Sequence, residues 1–327
     1  MRAAQCLEIG SLDDVIVADV PDPVPGPGEA LVRVAAASVN FPDSLLIAGH
    51  YQVRAEPPFI PGSEYAGEVV ALGEPAPGGS TGGPNVGDLV CGSVMVGAFA
   101  ELIAIPLERL TVVPAGVAPE MAASAQVTYT TAFHALHTLG QVQAGQWVVV
   151  LGGAGGVGMA AIDLARDAGA RVVAAASTPE KLEACRQVGA EVVVDYEHED
   201  LKQAIKAATG GADLVIDPVG GRHSEAALRA LRPGGRLIVV GFASGEVPSI
   251  PLNLVLVKGV SVHGLDLRQL HTVHPDLNAG TLPELLGRVA GGRLHPRIDR
   301  RFTLDQVVAA LHCVADRQAI GKVVIDL

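Results

Sequence analysis

One stretch constrains this chain more than any other: residues 146–165 read Gln-Trp-Val-Val-Val-Leu-Gly-Gly-Ala-Gly-Gly-Val-Gly-Met-Ala-Ala-Ile-Asp-Leu-Ala. Trp147 to Leu151 are continuously apolar, as a parallel strand covered on both faces requires. A glycine-rich turn, Gly152 to Gly158, comes next. Apolar residues then recur at helical spacing (Val157, Ala161, Ile162, Leu164, Ala165, Ala168) until Gly169. Strand, glycine turn and helix in this order form the first half of a dinucleotide-binding unit. The tight turn lets backbone approach a pyrophosphate closer than a Cβ would permit, and the next helix aims its free N–H groups at the phosphates. Gly153, Gly156 and Gly158 fit G-x-x-G-x-G, while Gly153, Gly155 and Gly158 fit G-x-G-x-x-G, with Val157 inside both patterns.

The rest of the chain arranges itself around that unit. Further strands are predicted at Arg171–Ala176, Glu191–Asp195, Asp213–Asp217, Arg236–Gly241 and Val260–Gly264, with helices at Glu180–Val188, Glu199–Ala208 and His223–Leu231. This alternation predicts an α/β domain with a six-stranded, doubly wound parallel sheet. Residues 1 to about 120 differ, holding 14 of the 22 prolines. Their short β runs (Arg2–Leu7, Val15–Val20, Ala30–Ala37, Glu64–Leu72, Asp88–Val94, Phe99–Ile105) are punctuated by proline and glycine, which predicts a partly open β-barrel. Glu74 to Gly83 reads as a surface loop. The domains are placed at 1–122 and 123–264. The segment 265–327, with helices at Pro283–Ala290 and Asp305–Ala315 and a strand at Lys322–Ile325, is expected to complete the first.

Composition excludes several classes. With 49% hydrophobic and 18% charged residues the chain folds around a large core. A net charge of −12 with no Lys/Arg run argues against a nucleic-acid partner. No apolar stretch approaches the roughly 20 residues of a membrane span, and Met1 to Gly10 carries no export signal, so a cytoplasmic protein is expected. Cys6, Cys91, Cys185 and Cys313 lie at least 85 residues apart and read as reduced structural thiols.

Five separated motifs resemble one superfamily. Ser38-Val-Asn-Phe-Pro-Asp43, Pro61-Gly-Ser-Glu-Tyr-Ala-Gly67, Thr128-Tyr-Thr-Thr-Ala-Phe-His134, Gly153-Ala-Gly-Gly-Val-Gly158 and Gly241-Phe-Ala-Ser-Gly245 are similar to those of medium-chain dehydrogenases/reductases. Within it they resemble the zinc-independent NADPH:quinone oxidoreductases (zeta-crystallin-like). The resemblance implies a GroES-like β-barrel catalytic domain and a Rossmann domain. The zinc-dependent members place a cysteine within the segment that here reads Ser38 to Asp43, and a histidine where Ser63 precedes Glu64. Thiolate and imidazole are the ligands zinc takes, so no metal is expected. His134/His137 and His271/His274 have i, i+3 spacing but no third ligand beside them.

Without a Lewis acid, hydride transfer favours an acceptor already activated by conjugation. The expected activity is therefore NADPH-dependent reduction of a quinone or other α,β-unsaturated carbonyl compound. Two alternatives stay open: a 2-enoyl thioester reductase with Tyr51 as proton donor, and a catalytically silent NADPH-binding structural or regulatory protein. NADPH rather than NADH is expected because residues 174–181, Ala-Ala-Ala-Ser-Thr-Pro-Glu-Lys, put no acid at the end of the second strand. Ser177 and Lys181 are candidates for the 2′-phosphate, although Ser177-Thr-Pro-Glu180 also reads as a capping box. By resemblance, Tyr196 lies against the adenosine, Gly241, Phe242, Ala243 and Ser244 near the nicotinamide half, and Asn40, Thr128 and Thr131 around the nicotinamide and its ribose. Tyr51 and Asn40 are the candidate catalytic residues, since a phenol is protonated at neutral pH and can donate. The resemblance also implies a homodimer through strand 260–264.

Overall fold

A computed structural model of the chain describes residues 1–76, 83–274, 277 and 280–327. They form two compact units: Met1–Val127 with Leu282–Gly292 and Pro296–Leu327, and Thr128–Thr281 with Arg293–His295. The sequence places the divisions near 122 and 265; these units divide within one helix, Pro119–Phe133, and again after Thr281.

The first unit opens with β1 (Arg2–Cys6) and β2 (Val15–Asp19), an antiparallel pair, then β3 (Glu29–Val39). Helix α1 (Phe41–Ile47) follows, with Asn40 as its N-cap position and Pro42 in its first turn. Proline is tolerated there because the first helical N–H groups have no intrahelical partner. Then come β4 (Glu64–Leu72), β5 (Leu89–Ser93), β6 (Leu102–Pro106) and the short β7 (Thr111–Val112). Residues 77–82, most of the stretch read as a surface loop, lie outside the described residues.

Helix α2 (Pro119–Phe133) runs into a π-helical turn, His134–Leu139. The second unit then alternates: β8 (Trp147–Leu151), α3 (Gly156–Asp167), β9 (Arg171–Ala176), α4 (Pro179–Val188), β10 (Val192–Asp195), α5 (Leu201–Thr209), β11 (Ala212–Asp217), α6 (Arg222–Ala230), β12 (Leu231–Val239), α7 (Leu252–Lys258), β13 (Ser261–Gly264) and α8 (Leu267–Val273), of which α7 and α8 are not among the helices the sequence predicts. All six strands are parallel, in the order β10-β9-β8-β11-β12-β13. Every residue of β8 and β11 is buried, which explains the unbroken apolar run of β8; β11 carries two buried acids, Asp213 and Asp217.

The last elements, α9 (Thr281–Ala290), β14 (Ile298–Thr303), α10 (Val307–Ala315) and β15 (Lys322–Asp326), bring the chain back to the first unit. There β15 pairs with both β14 and β3, giving the sheet order β14-β15-β3-β4-β5-β7, with β6 also on β3. Strand β15 is buried along Lys322 to Ile325, so the one charged residue of that run is inside.

Candidate functional site

The glycine turn follows β8 and is locked to its surroundings by close backbone packing. Gly152 has φ +57°, a left-handed conformation that glycine adopts without strain. The Gly153 N–H donates to Ala175 O of β9 at 2.9 Å. A Cβ on Gly158 would lie 2.2 Å from Gly152 O and 2.7 Å from Gly153 O, so only glycine lets helix and turn approach this closely. Gly155 differs: a Cβ there would meet nothing nearer than Gly152 O at 3.4 Å. Its own packing does not demand glycine. The first N–H groups of α3 beyond it are those a helix leaves unsatisfied within itself, so the turn suits a pyrophosphate.

The neighbouring strand ends carry the other expected residues of this unit. Ser177 directly follows β9, and the N-cap of α4 is Thr178, whose side chain accepts from Lys181 N at 3.3 Å. This corrects the capping-box reading by one residue: the cap is Thr178, which leaves the Ser177 hydroxyl outside it. Tyr196 follows β10, its ring 4.4 Å from that of His223. Residues 241–244 follow β12 and are laced to the loop after β11: Ala243 N donates to Pro218 O and Ser244 N to Val219 O. That loop is shaped by the buried Asp217, whose Oδ1 accepts from Val219 and Gly220 N at 2.9 Å each while Ser224 donates to Oδ2. Asp217 and Ser224 went unnoticed in the sequence; an acid ending an apolar strand before Pro-Val-Gly-Gly was the available signal. Thr128 and Thr131 are buried on α2.

In the first unit the sequence-predicted Asn40 sits in a buried polar cluster. Lys322 Nζ donates to Asn40 Oδ1 at 2.6 Å and to Glu64 Oε2 at 3.2 Å. Asn40 Nδ2 in turn donates to Glu64 Oε2 at 3.0 Å. The second carboxylate oxygen, Glu64 Oε1, accepts from Val127 N at 2.8 Å. Asp43 Oδ2 accepts from Asn40 N at 2.7 Å. Relative exposure is 5% at Asn40, 3% at Asp43, 0% at Glu64 and 4% at Lys322, so this is a solvent-excluded set of charges. Burial pushes the Asp43 carboxyl up to about 6, against the opposing pull of its hydrogen bonds from Ser63 and Asn40. The neighbouring Cys91 thiol is likewise pushed up by burial, to about 12, and is unreactive as a nucleophile. Tyr51 lies in the loop after α1, half-buried against the core of this unit.

Among the described residues no group of three His, Cys, Asp or Glu side chains is placed to hold a metal ion. His134 shares a hydrogen bond with Thr138, and its ring lies 6.3 Å from that of His271; burial, with His271 beside it, holds it down at about 4. All four cysteines are buried and free. No helix of the described residues is long and apolar enough to cross a membrane.

These features define a class. Residues 26–115 match the alcohol dehydrogenase GroES-like domain family and residues 156–280 the zinc-binding dehydrogenase family. The chain belongs to the medium-chain dehydrogenases/reductases, among their quinone oxidoreductases. A quinone oxidoreductase-like protein 2 homolog of Nematostella vectensis is 36% identical over 99% of this chain and 88% of its own length. Prostaglandin reductase-3 of Bos taurus is 34% identical over 94% and 84%. Among solved structures, the Thermus thermophilus quinone oxidoreductase, determined also with NADPH, superposes with a TM-score of 0.85 at 34% identity, covering 100% of both chains.

Proposed function

We propose that this oxidoreductase uses NADPH to reduce a quinone or another conjugated carbonyl compound without a metal ion. The observation that carries the cofactor assignment is the end of β9, where no acid stands and Ser177 is outside the helix cap. An NAD-specific site needs a carboxylate there for the ribose hydroxyls, whereas a hydroxyl and Lys181 suit a 2′-phosphate. Gly153, Gly155, Gly156, Val157 and Gly158 would hold the pyrophosphate, and Tyr196 the adenosine. Thr128, Thr131 and residues 241–244 would flank the nicotinamide. When bound, NADPH supplies the hydride.

The metal-free reading rests on the chemistry of the first unit. Ser63 offers a hydroxyl where zinc would take an imidazole, and the Glu64 carboxylate is engaged by Lys322, Asn40 and Val127 N. Tyr51 and Asn40 are assigned to the reacting end, where the Tyr51 hydroxyl holds the proton that completes reduction of an enone or enoyl thioester. A Tyr51→Phe variant with full turnover on enones would remove that role.

The reading is tested by titrating the protein with NADPH and NADH, then mixing the loaded enzyme with quinones and enones. NADPH is expected to bind about tenfold tighter, a preference that Lys181→Ala abolishes. Equal or tighter binding of NADH sinks the cofactor assignment; tight NADPH binding with no turnover favours the structural or regulatory alternative.

A homodimer completes the proposal. Strand β13 ends the sheet order of the second unit, and α7 before it exposes Leu252, Leu256 and Val257 at 81% each. A second copy pairing on this edge would cover both. Light scattering is expected to give about 67 kDa, twice the chain's 33.5 kDa, and a monomer mass refutes the dimer.

A further inference from the structure

Asn40 and Lys322 are 282 residues apart in sequence, yet the pairing of β15 with β3 sets Val323 opposite Val39 and so brings Lys322 to the end of that strand beside Asn40. An ammonium group only donates hydrogen bonds, and a carboxylate only accepts them. The Asn40 atom facing Lys322 is therefore the oxygen, and the atom facing Glu64 is the nitrogen. Turning the amide over would set two donors against each other at 2.6 Å and two acceptors against each other at 3.0 Å. Neither partner can yield. Glu64 is fully buried and tied at its other oxygen to Val127 N, while Lys322 is buried within β15.

The backbone adds a second restraint. The Asn40 N–H donates to Asp43 Oδ2 at 2.7 Å, half of a capping box that fixes the residue at the start of α1. A buried pair such as Lys322–Glu64 contributes little net stability compared with apolar residues of the same shape, because desolvation offsets its attraction. Two charges kept in a dry core at that expense point to a role other than stability.

We propose that Lys322 is a positioning residue: with Glu64 it locks the Asn40 amide in one orientation for the reaction. The inference rests on the assignment of Asn40 to the reacting end of the site. It also accounts for a buried lysine at the start of β15.

The chain has four asparagines, Asn40, Asn85, Asn253 and Asn278, so selective ¹⁵N-asparagine labelling gives four side-chain amide pairs. The pair lost in Asn40→Ser is that of Asn40. Lys322→Met alone leaves Glu64 buried and unpaired and is expected to unfold readily. The decisive variant is Glu64→Gln/Lys322→Met, which removes both charges together. Its Asn40 pair is expected to move away from its wild-type position, and kcat with NADPH and a simple 1,4-quinone, at saturating NADPH, to fall about tenfold to a hundredfold. An Asn40 pair that stays in place overturns the inference, as does a displaced pair with wild-type kcat. Wild-type enzyme that turns over no acceptor would instead defeat the functional reading, and the amide response alone would then decide what Lys322 holds.

Discussion

The glycine turn of the second unit and the polar cluster of the first are both close-packed, but they are specified in opposite ways. The turn is seven consecutive residues whose constraint is steric: Gly158 lies so near the backbone of Gly152 and Gly153 that a single methyl group does not fit. The cluster is assembled from β3, α1, β4 and β15, and its constraint is electrostatic, one ammonium group set among carboxylates out of contact with water. A steric constraint is met or violated by one residue at a time and is indifferent to pH. An electrostatic one depends on the whole set and changes whenever a member gains or loses a proton.

The contrast can be broken at either end. The largest effect is expected for Gly158→Val, which forces side-chain carbons into backbone carbonyls that cannot retreat; a loss above about 4 kcal/mol in chemical unfolding, unchanged between pH 4 and 7, is expected. Wild-type stability in that variant would mean the turn is looser than its packing indicates.

The next effect belongs to Asp43 and is pH-dependent. Its carboxyl lies at about 6 in the folded chain against 3.8 when free, so between those values the folded state retains a proton that the unfolded state has released. The associated stability is fully present below 3.8 and is lost as pH rises through about 6. The gap corresponds to at most about 3 kcal/mol, at about 1.36 kcal/mol per pH unit. Asp43→Asn cannot ionise but still accepts the Asn40 N–H. It is expected to gain on the wild type by up to that amount between pH 4 and 7, and a difference independent of pH would contradict the burial argument.

The smallest effect sharpens the comparison within the turn itself. Gly155→Ala, with its Cβ at ordinary contact distance, should keep the wild-type melting temperature yet weaken NADPH binding at least about tenfold, or about 1.4 kcal/mol. Unchanged affinity would show that the backbone at 155 is not where the phosphates approach.

Legibility in the sequence follows the same division. The parallel sheet was readable because its central strands β8 and β9 are dominated by apolar residues and helices alternate with strands; the start of β12 was not, since Leu231 to Gly235 read as helix end and turn but pair as strand. Helix α1 was not, because a seven-residue helix with Pro42 in its first turn shows too little periodicity. Strand β14, Ile-Asp-Arg-Arg-Phe-Thr, was missed because a polar edge strand with its outer side in solvent does not alternate. Asn40 and Glu64 were visible inside motifs, but their connection was not. Lys322 looks like any strand-end lysine, and only the sheet order that places β15 beside β3 turns it inward. Charge partners separated by most of the chain leave no local trace.

The position of β15 also has a consequence for how the chain is made. Residues 128–281, nearly the whole of the second unit, leave the ribosome before the strand that bridges β14 and β3 has been synthesised. Domains commonly fold from the N-terminus forward during synthesis; here the unit begun first is completed last, with its buried carboxylate awaiting a counter-ion. Nascent chains arrested soon after residue 300 are therefore expected to resist protease across the parallel sheet while the first unit is still cut. The newborn protein would thus possess its nucleotide fold before the apparatus that uses it.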